Sequence, residues 1–203
     1  MAFAGDGSTT VERSAAMSIY LKTPRVLWGA MLTASLLFCG ASCIPLAPYF
    51  KSDPVPFIIA PCMCMVALVD AVMSFVFPRM QFAGWCKRNL ADKVTSERDP
   101  NADVMFRTAA PEIKVLRLDR ARIRSVIAVW QTAFVIASAL SESVALIGAT
   151  LSILGFWPAW SAPIGFAGFV LLLLRWPSEK AVLGPIERAV GARVLLGDVS
   201  VRG

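Results

Sequence analysis

Glu142 is the residue of this sequence best placed to do chemistry, because its carboxylate lies in the middle of a long apolar stretch. A charge near the centre of a membrane costs at least about 2.5–3.5 kcal/mol. No Lys or Arg lies within the apolar stretches of the chain to neutralise it. We therefore expect Glu142 to be protonated, hydrogen-bonded or bound to a cation.

Asp70 is a second acid within an apolar stretch. Counted from the cytoplasmic ends of their two stretches, Asp70 and Glu142 differ in depth by roughly 13 Å at the rise of an α-helix. The sequence therefore predicts that they do not share one proton directly. They are either two stations of a proton relay through water or two unrelated acids that hold helices together.

The helix face around Glu142 is small and polar. Such residues recur on it at spacings of three and four: Gln131, Ser138, Glu142, Ala145, Ala149 and Ser152, with Ser141 and Gly148 beside them. Small residues let membrane helices approach closely, and serine or glutamine can hydrogen-bond across the contact. The face is therefore predicted to meet protein rather than lipid.

Two hypotheses about this face remain open. One is a protonated glutamic acid that locks helix packing or contacts a partner subunit. The other is a proton or cation site, and its residues would be Glu142, Ser138, Ser141, Gln131 and Asp70.

The segment Ala137–Gly148, with the sequence ASALSESVALIG, resembles the carboxylate helix of rotary ATPase ring subunits. Those subunits carry H+ or Na+ on such a glutamate, so the resemblance implies that Glu142 is an ion carrier. The likeness is confined to residues 137–148, and we interpret it as convergent. The chain as a whole resembles small four-span bacterial membrane proteins, which often carry a similar Glu-x-x-Ala-Leu-x-Gly helix.

Four cysteines in apolar stretches give a separate signal. Cys39 and Cys43 are one turn apart in the first stretch, and Cys62 and Cys64 lie at a similar depth in the second. Thiolates with neighbouring methionines are soft ligands that suit Cu(I), whereas the alternatives are a disulfide and ordinary apolar packing. The sequence GASC ending at Cys43 also resembles a bacterial lipoprotein cleavage box, which would leave three spans and a lipidated Cys43.

Apolar residues make up 57% of the 203 residues and concentrate in four stretches. These stretches are residues 26–50, 56–77, 125–154 and 159–174. Each is close to the roughly 20 residues that an α-helix needs to cross hydrocarbon. A span in lipid must satisfy its own backbone hydrogen bonds, so the predicted fold is all-α: a four-helix transmembrane bundle with cytoplasmic amphipathic helices.

The distribution of Lys and Arg predicts the orientation. Three lie in residues 1–25, eleven in 78–124 and five in 175–203, whereas the two short connections carry one, Lys51. Positive residues mark cytoplasmic segments. The N-terminal segment, the central loop and the C-terminal tail are therefore all expected in the cytoplasm, at a bacterial inner membrane.

The central loop 78–124 is predicted to be helical. An apolar stripe would continue the second span as a helix, and its residues are Phe82, Trp85, Cys86 and Leu90. After a turn at Asp99–Asn101, a second helix would begin at Pro111–Glu112. It would present Arg117, Arg120 and Arg124 to anionic inner-leaflet lipids. In the tail, Ser178 as a cap and Glu179 in the first turn predict a further helix.

A structural or accessory subunit that packs through the third span is the function favoured by this pattern, with a membrane-protein partner or a second copy of the chain. The alternatives are a small proton- or cation-coupled transporter or channel-like protein that uses Glu142, and a Cu(I)-handling protein. The lack of histidine and of any nucleophile–base pair argues against an enzyme. No cofactor is predicted, and the net charge of +6 reflects cytoplasmic flanks rather than nucleic-acid binding.

Overall fold

The computed structural model describes residues 17–44, 56, 58–98 and 112–196. The helices are α1 (Lys22–Ser42), α2 (Ile59–Leu90), α3 (Arg120–Ile153), α4 (Pro158–Leu173) and α5 (Glu179–Val190). The strands are β1 (Val94–Arg98), β2 (Glu112–Leu118) and β3 (Arg193–Leu196). The protein is therefore mostly helical, with a small sheet that the all-α prediction did not contain.

Three helices among the described residues, α1, α2 and α3, are long and apolar enough to cross a membrane. The fourth apolar helix, α4, has 16 residues and is shorter than a usual span. The structure is thus compatible with a multi-pass membrane protein. Three of the four predicted spans have the length of a usual membrane helix.

The chain forms two compact units, each considered separately. The sheet unit contains the described residues 17–21, 80–98, 112–131 and 178–196. The helical unit contains α1, the part of α2 up to Arg79, the part of α3 from Thr132, and α4 with the residues up to Pro177. Lys51 and the predicted turn at Asp99–Asn101 lie outside the described residues.

Helix α2 continues past Pro78 to Leu90, as its apolar stripe predicts. Phe82, Cys86 and Leu90 recur at four-residue spacing and are all buried in the sheet unit. A proline within a helix removes one backbone hydrogen bond, and here it lies where the predicted second span ends. The stripe therefore packs into the core of the sheet unit.

The predicted helix from Pro111–Glu112 is wrong, because Glu112–Leu118 form the central strand of the sheet. Strand β1 pairs with it antiparallel, with Val94 opposite Leu116, and β3 pairs with it parallel, with Val115 opposite Arg193. Val115 and Leu116 point to opposite faces of a strand, yet both are buried. These partners are distant in sequence, so local patterning alone could not distinguish this buried strand from a helix.

Helix α3 begins only after this strand, at Arg120. The Asp119 carboxylate accepts a hydrogen bond of 2.8 Å from the Arg122 backbone N–H, which is the contact that an aspartate N-cap makes with the third residue of a helix. The cap places the helix start several residues later than the predicted one.

Helix α5 connects the end of the helical unit to β3. Ser178 is its N-cap and accepts a 3.2 Å hydrogen bond from Ala181 N, and Glu179 is in the first turn, as predicted. Its apolar face buries Val182 and Ile186. Gly191 ends the helix with a left-handed φ of 66°, a conformation that glycine adopts without steric cost.

Candidate intramembrane carboxylate site

The small face of α3 packs against α4 of the same chain. A Cβ on Gly148 would lie 2.5 Å from Gly165 N and 2.9 Å from Ser161 O, and one on Gly168 would overlap the backbone of Ala145. The helices therefore meet backbone to backbone at the level of these residues, which only very small side chains allow. Ser138, Ser141, Ala145, Ala149 and Ser152 of α3 are all buried.

Helix α1 packs against the same stripe of α4. Ser161 Oγ donates to Ser42 O over 2.7 Å, and a Cβ on Gly165 would overlap the side chain of Ser42. Ser152 Oγ of α3 donates to the carbonyl of Ile44, which follows α1. These contacts hold α1, α3 and α4 at the end of the helical unit opposite to Arg79 and Arg175.

Asp70 of α2 contacts α3 directly. Ser143 Oγ lies 2.6 Å from Asp70 Oδ2 and 2.8 Å from the Leu140 carbonyl oxygen. Ser143 is the residue after Glu142, so Asp70 and Glu142 are at nearly the same level along α3. The predicted difference in depth is therefore wrong.

The error comes from where the predicted third stretch begins. Residues 120–131 of α3 belong to the sheet unit, and the helical unit begins at Thr132. Counting from Ser125 added about two helical turns to the apparent depth of Glu142. The length of an apolar stretch thus overstates the part of a helix that packs among the spans.

The Glu142 side chain is half-buried and forms no hydrogen bond or ion pair with any residue that the structure describes. Asp70 is half-buried too, and within the same part of the chain no Lys or Arg pairs with it. Two carboxylates of α2 and α3 are therefore placed close in depth without a basic partner among the described residues.

Two serine hydroxyls near this level are buried without a hydrogen-bond partner in the described part of the chain. They are Ser138 Oγ, one turn before Glu142, and Ser35 Oγ on α1. Ser141 Oγ, by contrast, donates to the Ala137 carbonyl over 2.9 Å, which is a common way to satisfy a helical serine. Of these predicted site residues, Ser138 thus has an unused hydroxyl proton among the described residues, whereas the hydroxyl proton of Ser141 is already donated.

Gln131 is half-buried and falls in the sheet unit, so it is not grouped with the two carboxylates.

The four cysteines of the predicted Cu(I) site do not form a metal-binding cluster: among described residues, no three His, Cys, Asp or Glu side chains are arranged to hold a metal ion. Cys43 and Cys62 are exposed, and Cys39 and Cys64 are half-buried.

Arg117 lies on β2 rather than on the basic face of a helix. Its guanidinium donates two 2.9 Å hydrogen bonds to the two carboxylate oxygens of Glu97 on β1. These hydrogen bonds and the charge of Arg117 lower the pKa of Glu97, and Glu97 in turn raises the pKa of Arg117. Arg120 and Arg124 remain exposed at the start of α3.

Ser143 is the residue of the site that the sequence did not single out. It directly follows Glu142 in the chain, but lies on a different face of α3 from Glu142 and Ser138. Its role depends on which residue of α2 lies opposite, and that register is not encoded in local patterning.

No protein-family model, curated protein or solved structure matches this chain. A function for the carboxylates therefore depends on the geometry of the chain's own residues.

Proposed function

We propose that this chain is a four-span membrane protein that binds and releases a proton or a monovalent cation at Asp70 and Glu142, as a small ion-coupled transporter or channel-like protein. The contact between Asp70 and Ser143, beside a Glu142 with no partner among described residues, carries the proposal. Ionisable residues inside membranes commonly mark ion pathways and proton relays.

The geometry at Ser143 supports reversible protonation of Asp70. A serine hydroxyl has one proton and can donate it fully to one acceptor at a time. Here it faces two acceptors, Asp70 Oδ2 at 2.6 Å and the Leu140 carbonyl at 2.8 Å. A proton on Asp70 would satisfy both contacts, since Asp70 could then donate to Ser143 and Ser143 to Leu140. A bound cation near Asp70 would relieve the same competition.

Glu142 supplies the second carboxylate of the proposed pathway, since it lies at nearly the same level as Asp70. The unsatisfied Ser138 hydroxyl on the same face offers a further oxygen ligand. Oxygen ligands of this type suit hard cations as well as hydrogen-bonded protons.

Chain connectivity supports the fourth span. Strand β2 precedes α3 and pairs in parallel with β3, which follows α4 and α5. If α3 crosses the membrane, α4 must cross back for this pair to form. At 16 residues and 1.5 Å per residue, α4 is about 24 Å long, short of the roughly 30 Å hydrocarbon thickness. Exposed Trp157 and Trp176 near its ends would serve as interfacial anchors.

Chain connectivity also constrains the orientation of α1, α2 and α3. Residues 17–21, the end of α2 and the start of α3 all belong to the sheet unit. With the excess of Lys and Arg in these segments, we infer that the sheet unit is cytoplasmic at a bacterial inner membrane. Arg120 and Arg124 would then face anionic lipids of the inner leaflet.

An accessory subunit is the second candidate, although through a different surface from the predicted one. The small face of α3 is occupied by α4, so a partner would have to pack elsewhere. Helix α2 offers such a surface, because Met65, Leu68 and Val72 are all more than half exposed on it. Copurification from native membranes would test this candidate, and recovery of the chain as a lone monomer would contradict it.

Ion flux into proteoliposomes tests the main proposal. The native protein should conduct H+ or Na+ down an imposed gradient, and Glu142→Gln or Asp70→Asn should reduce the flux at least roughly tenfold. Asp92→Asn is the matched control, since Asp92 is an exposed acid on the short turn after α2. Absence of flux in the native protein, or equal flux in all four proteins, would contradict the proposal.

A further inference from the structure

Two arginines of the helical unit share one aromatic ring. The Arg175 guanidinium carbon lies 4.8 Å from the centre of the Phe75 ring, and that of Arg79 lies 5.6 Å from it. Phe75 and Arg79 are on α2, and Arg175 follows the end of α4. The cluster therefore joins the end of α4 to the last residues that α2 contributes to the helical unit.

Arg175 is held in place but is not satisfied. Its Nη2 donates a 2.7 Å hydrogen bond to Ser74 Oγ, and Ser74 Oγ in turn donates to the Ala71 carbonyl over 2.6 Å. The Nε atom of Arg175 is fully buried and has no acceptor among the described residues. A buried charged donor without a partner is costly, so this guanidinium is incompletely paired.

Within the described part of the chain, the cluster also lacks a counter-charge. No acid within the described residues forms an ion pair with Arg25, Arg79 or Arg175. The guanidinium groups of Arg79 and Arg175 both contact the Phe75 ring, which brings two positive charges close together. Like charges at such a distance repel more strongly beside low-dielectric hydrocarbon than in water, and an anion between them would offset this repulsion.

Aromatic residues that follow and precede the ends of these helices are of the type found at a membrane surface. Trp28 and Trp176 pack edge to face with their ring centres 4.8 Å apart, and Trp28 Nε1 donates to the Leu172 carbonyl over 2.9 Å. The Arg25 guanidinium lies 5.9 Å from the centre of the Trp176 ring. Tryptophan is enriched at the level of lipid headgroups, where an apolar ring and a polar N–H are both accommodated.

We propose that Arg79 and Arg175 form a binding site for the phosphate of an anionic phospholipid. The guanidinium fork matches phosphate oxygens geometrically, and basic sites between membrane helices commonly hold such headgroups. The lipid is favoured over free phosphate because Arg175 directly follows an apolar helix and is followed by an exposed tryptophan, Trp176, the residue type enriched at the level of lipid headgroups. The site is distinct from the Asp70–Glu142 carboxylates and does not depend on ion transport.

Native mass spectrometry from nanodiscs of mixed phosphatidylglycerol and phosphatidylcholine tests this site. The native protein should retain phosphatidylglycerol selectively, and Arg79→Gln should reduce the retained fraction by roughly tenfold, the effect of losing a charge-assisted hydrogen bond. Arg88→Gln is the matched control, because Arg88 is an exposed arginine near the end of the same helix. Arg175→Lys keeps the charge but loses the fork, and should weaken retention as well.

Arg79 is exposed, so its variant is expected to fold even if the Arg175 variant does not. Retention of phosphatidylglycerol by Arg79→Gln at the native level would overturn the proposal. An equal loss in Arg88→Gln would also overturn it, because general charge attraction would then suffice. In nanodiscs of phosphatidylcholine alone, inorganic phosphate should leave the tryptophan fluorescence unchanged; saturable binding of phosphate alone would assign the site to a soluble anion and refute the lipid.

Discussion

The hydroxyl of Ser143 on α3 lies 2.6 Å from the carboxylate of Asp70 on α2. This contact joins two helices at the level of Glu142 and gives the first of the two intramembrane acids a defined partner. An acid in this position is compatible with two roles: it holds two helices together through a hydrogen bond, or it binds and releases an ion. The two roles differ in what happens when the contact is removed.

Replacing Ser143 by alanine should destabilise the helical unit by about 1 kcal/mol, because the half-buried Asp70 carboxylate loses its hydrogen-bond partner. Ser143→Thr retains a hydroxyl and should recover most of that loss. Thermal unfolding in detergent measures both effects. Ser125→Ala removes an exposed α3 hydroxyl that bonds to the Ala121 carbonyl, and it should leave the transition unchanged. Equal stability of Ser143→Ala and the native protein would mean that the contact is not formed.

The approach of α3 to α4 predicts a steric penalty at Gly148. A methyl group there would meet Gly165 N and Ser161 O, which are backbone atoms and cannot rotate away. Gly148→Ala should therefore lower the free energy of unfolding by about 1–3 kcal/mol. Gly29→Ala on α1 has open space around its Cβ and should be neutral or slightly stabilising. Similar behaviour of both variants would rule out backbone contact between α3 and α4.

Four spans predict that residue 156 and residue 180 lie on opposite sides of the membrane. In a variant with its native cysteines replaced, Phe156→Cys should react with an impermeant maleimide added outside intact spheroplasts. Lys180→Cys should react only after the membrane is permeabilised. Labelling of both positions from the same side would show that α4 does not cross.

The pair formed by Glu97 and Arg117 predicts acid sensitivity of the β1–β2 contact. The pKa of Glu97 is lower in the folded protein than its usual value of 4.5, so the pair contributes stability above that value. The contribution is lost as the pH falls through the folded pKa. The protection factors of the β1 amides, which are the exchange rates corrected for the intrinsic effect of pH, should therefore fall at acidic pH in the native protein.

The control for this pair is Lys114, a charged residue on the same strand as Arg117. Glu97→Gln should exchange faster at neutral pH and show less acid dependence, whereas Lys114→Gln, which removes an exposed charge from β2, should behave as the native protein does. Identical pH profiles in the native protein and Glu97→Gln would contradict the role assigned to the pair.

The parts of the fold that could be predicted are those set by local patterning. Apolar stretches indicated the helices, the stripe of Phe82, Cys86 and Leu90 predicted the extension of α2, and Ser178 predicted the cap of α5. Strand β2 was missed because its burial depends on β1 and β3, which lie far away in sequence. The sheet therefore had no local signature that outweighed the helical spacing of its basic residues.

The candidate site was only partly predictable for a similar reason. Glu142, Asp70 and the small face of α3 stand out by composition, since acids and serines are rare in apolar stretches. The register that sets Ser143 opposite Asp70 is a property of two helices together. The same holds for Arg175, whose contacts with Ser74 and Phe75 link residues that are far apart in the chain.

The most direct test of ion binding by Asp70 and Glu142 is an infrared difference spectrum of the reconstituted protein between acidic and alkaline pH. Protonated and ionised carboxyls absorb at different frequencies, so the membrane-embedded acids are observed without a transport assay. We predict a carboxyl band in the native protein that loses one component in Asp70→Asn, another in Glu142→Gln, and both in the double variant. A difference spectrum in the double variant identical to that of the native protein would show that neither acid exchanges a proton, and would contradict the proposed function.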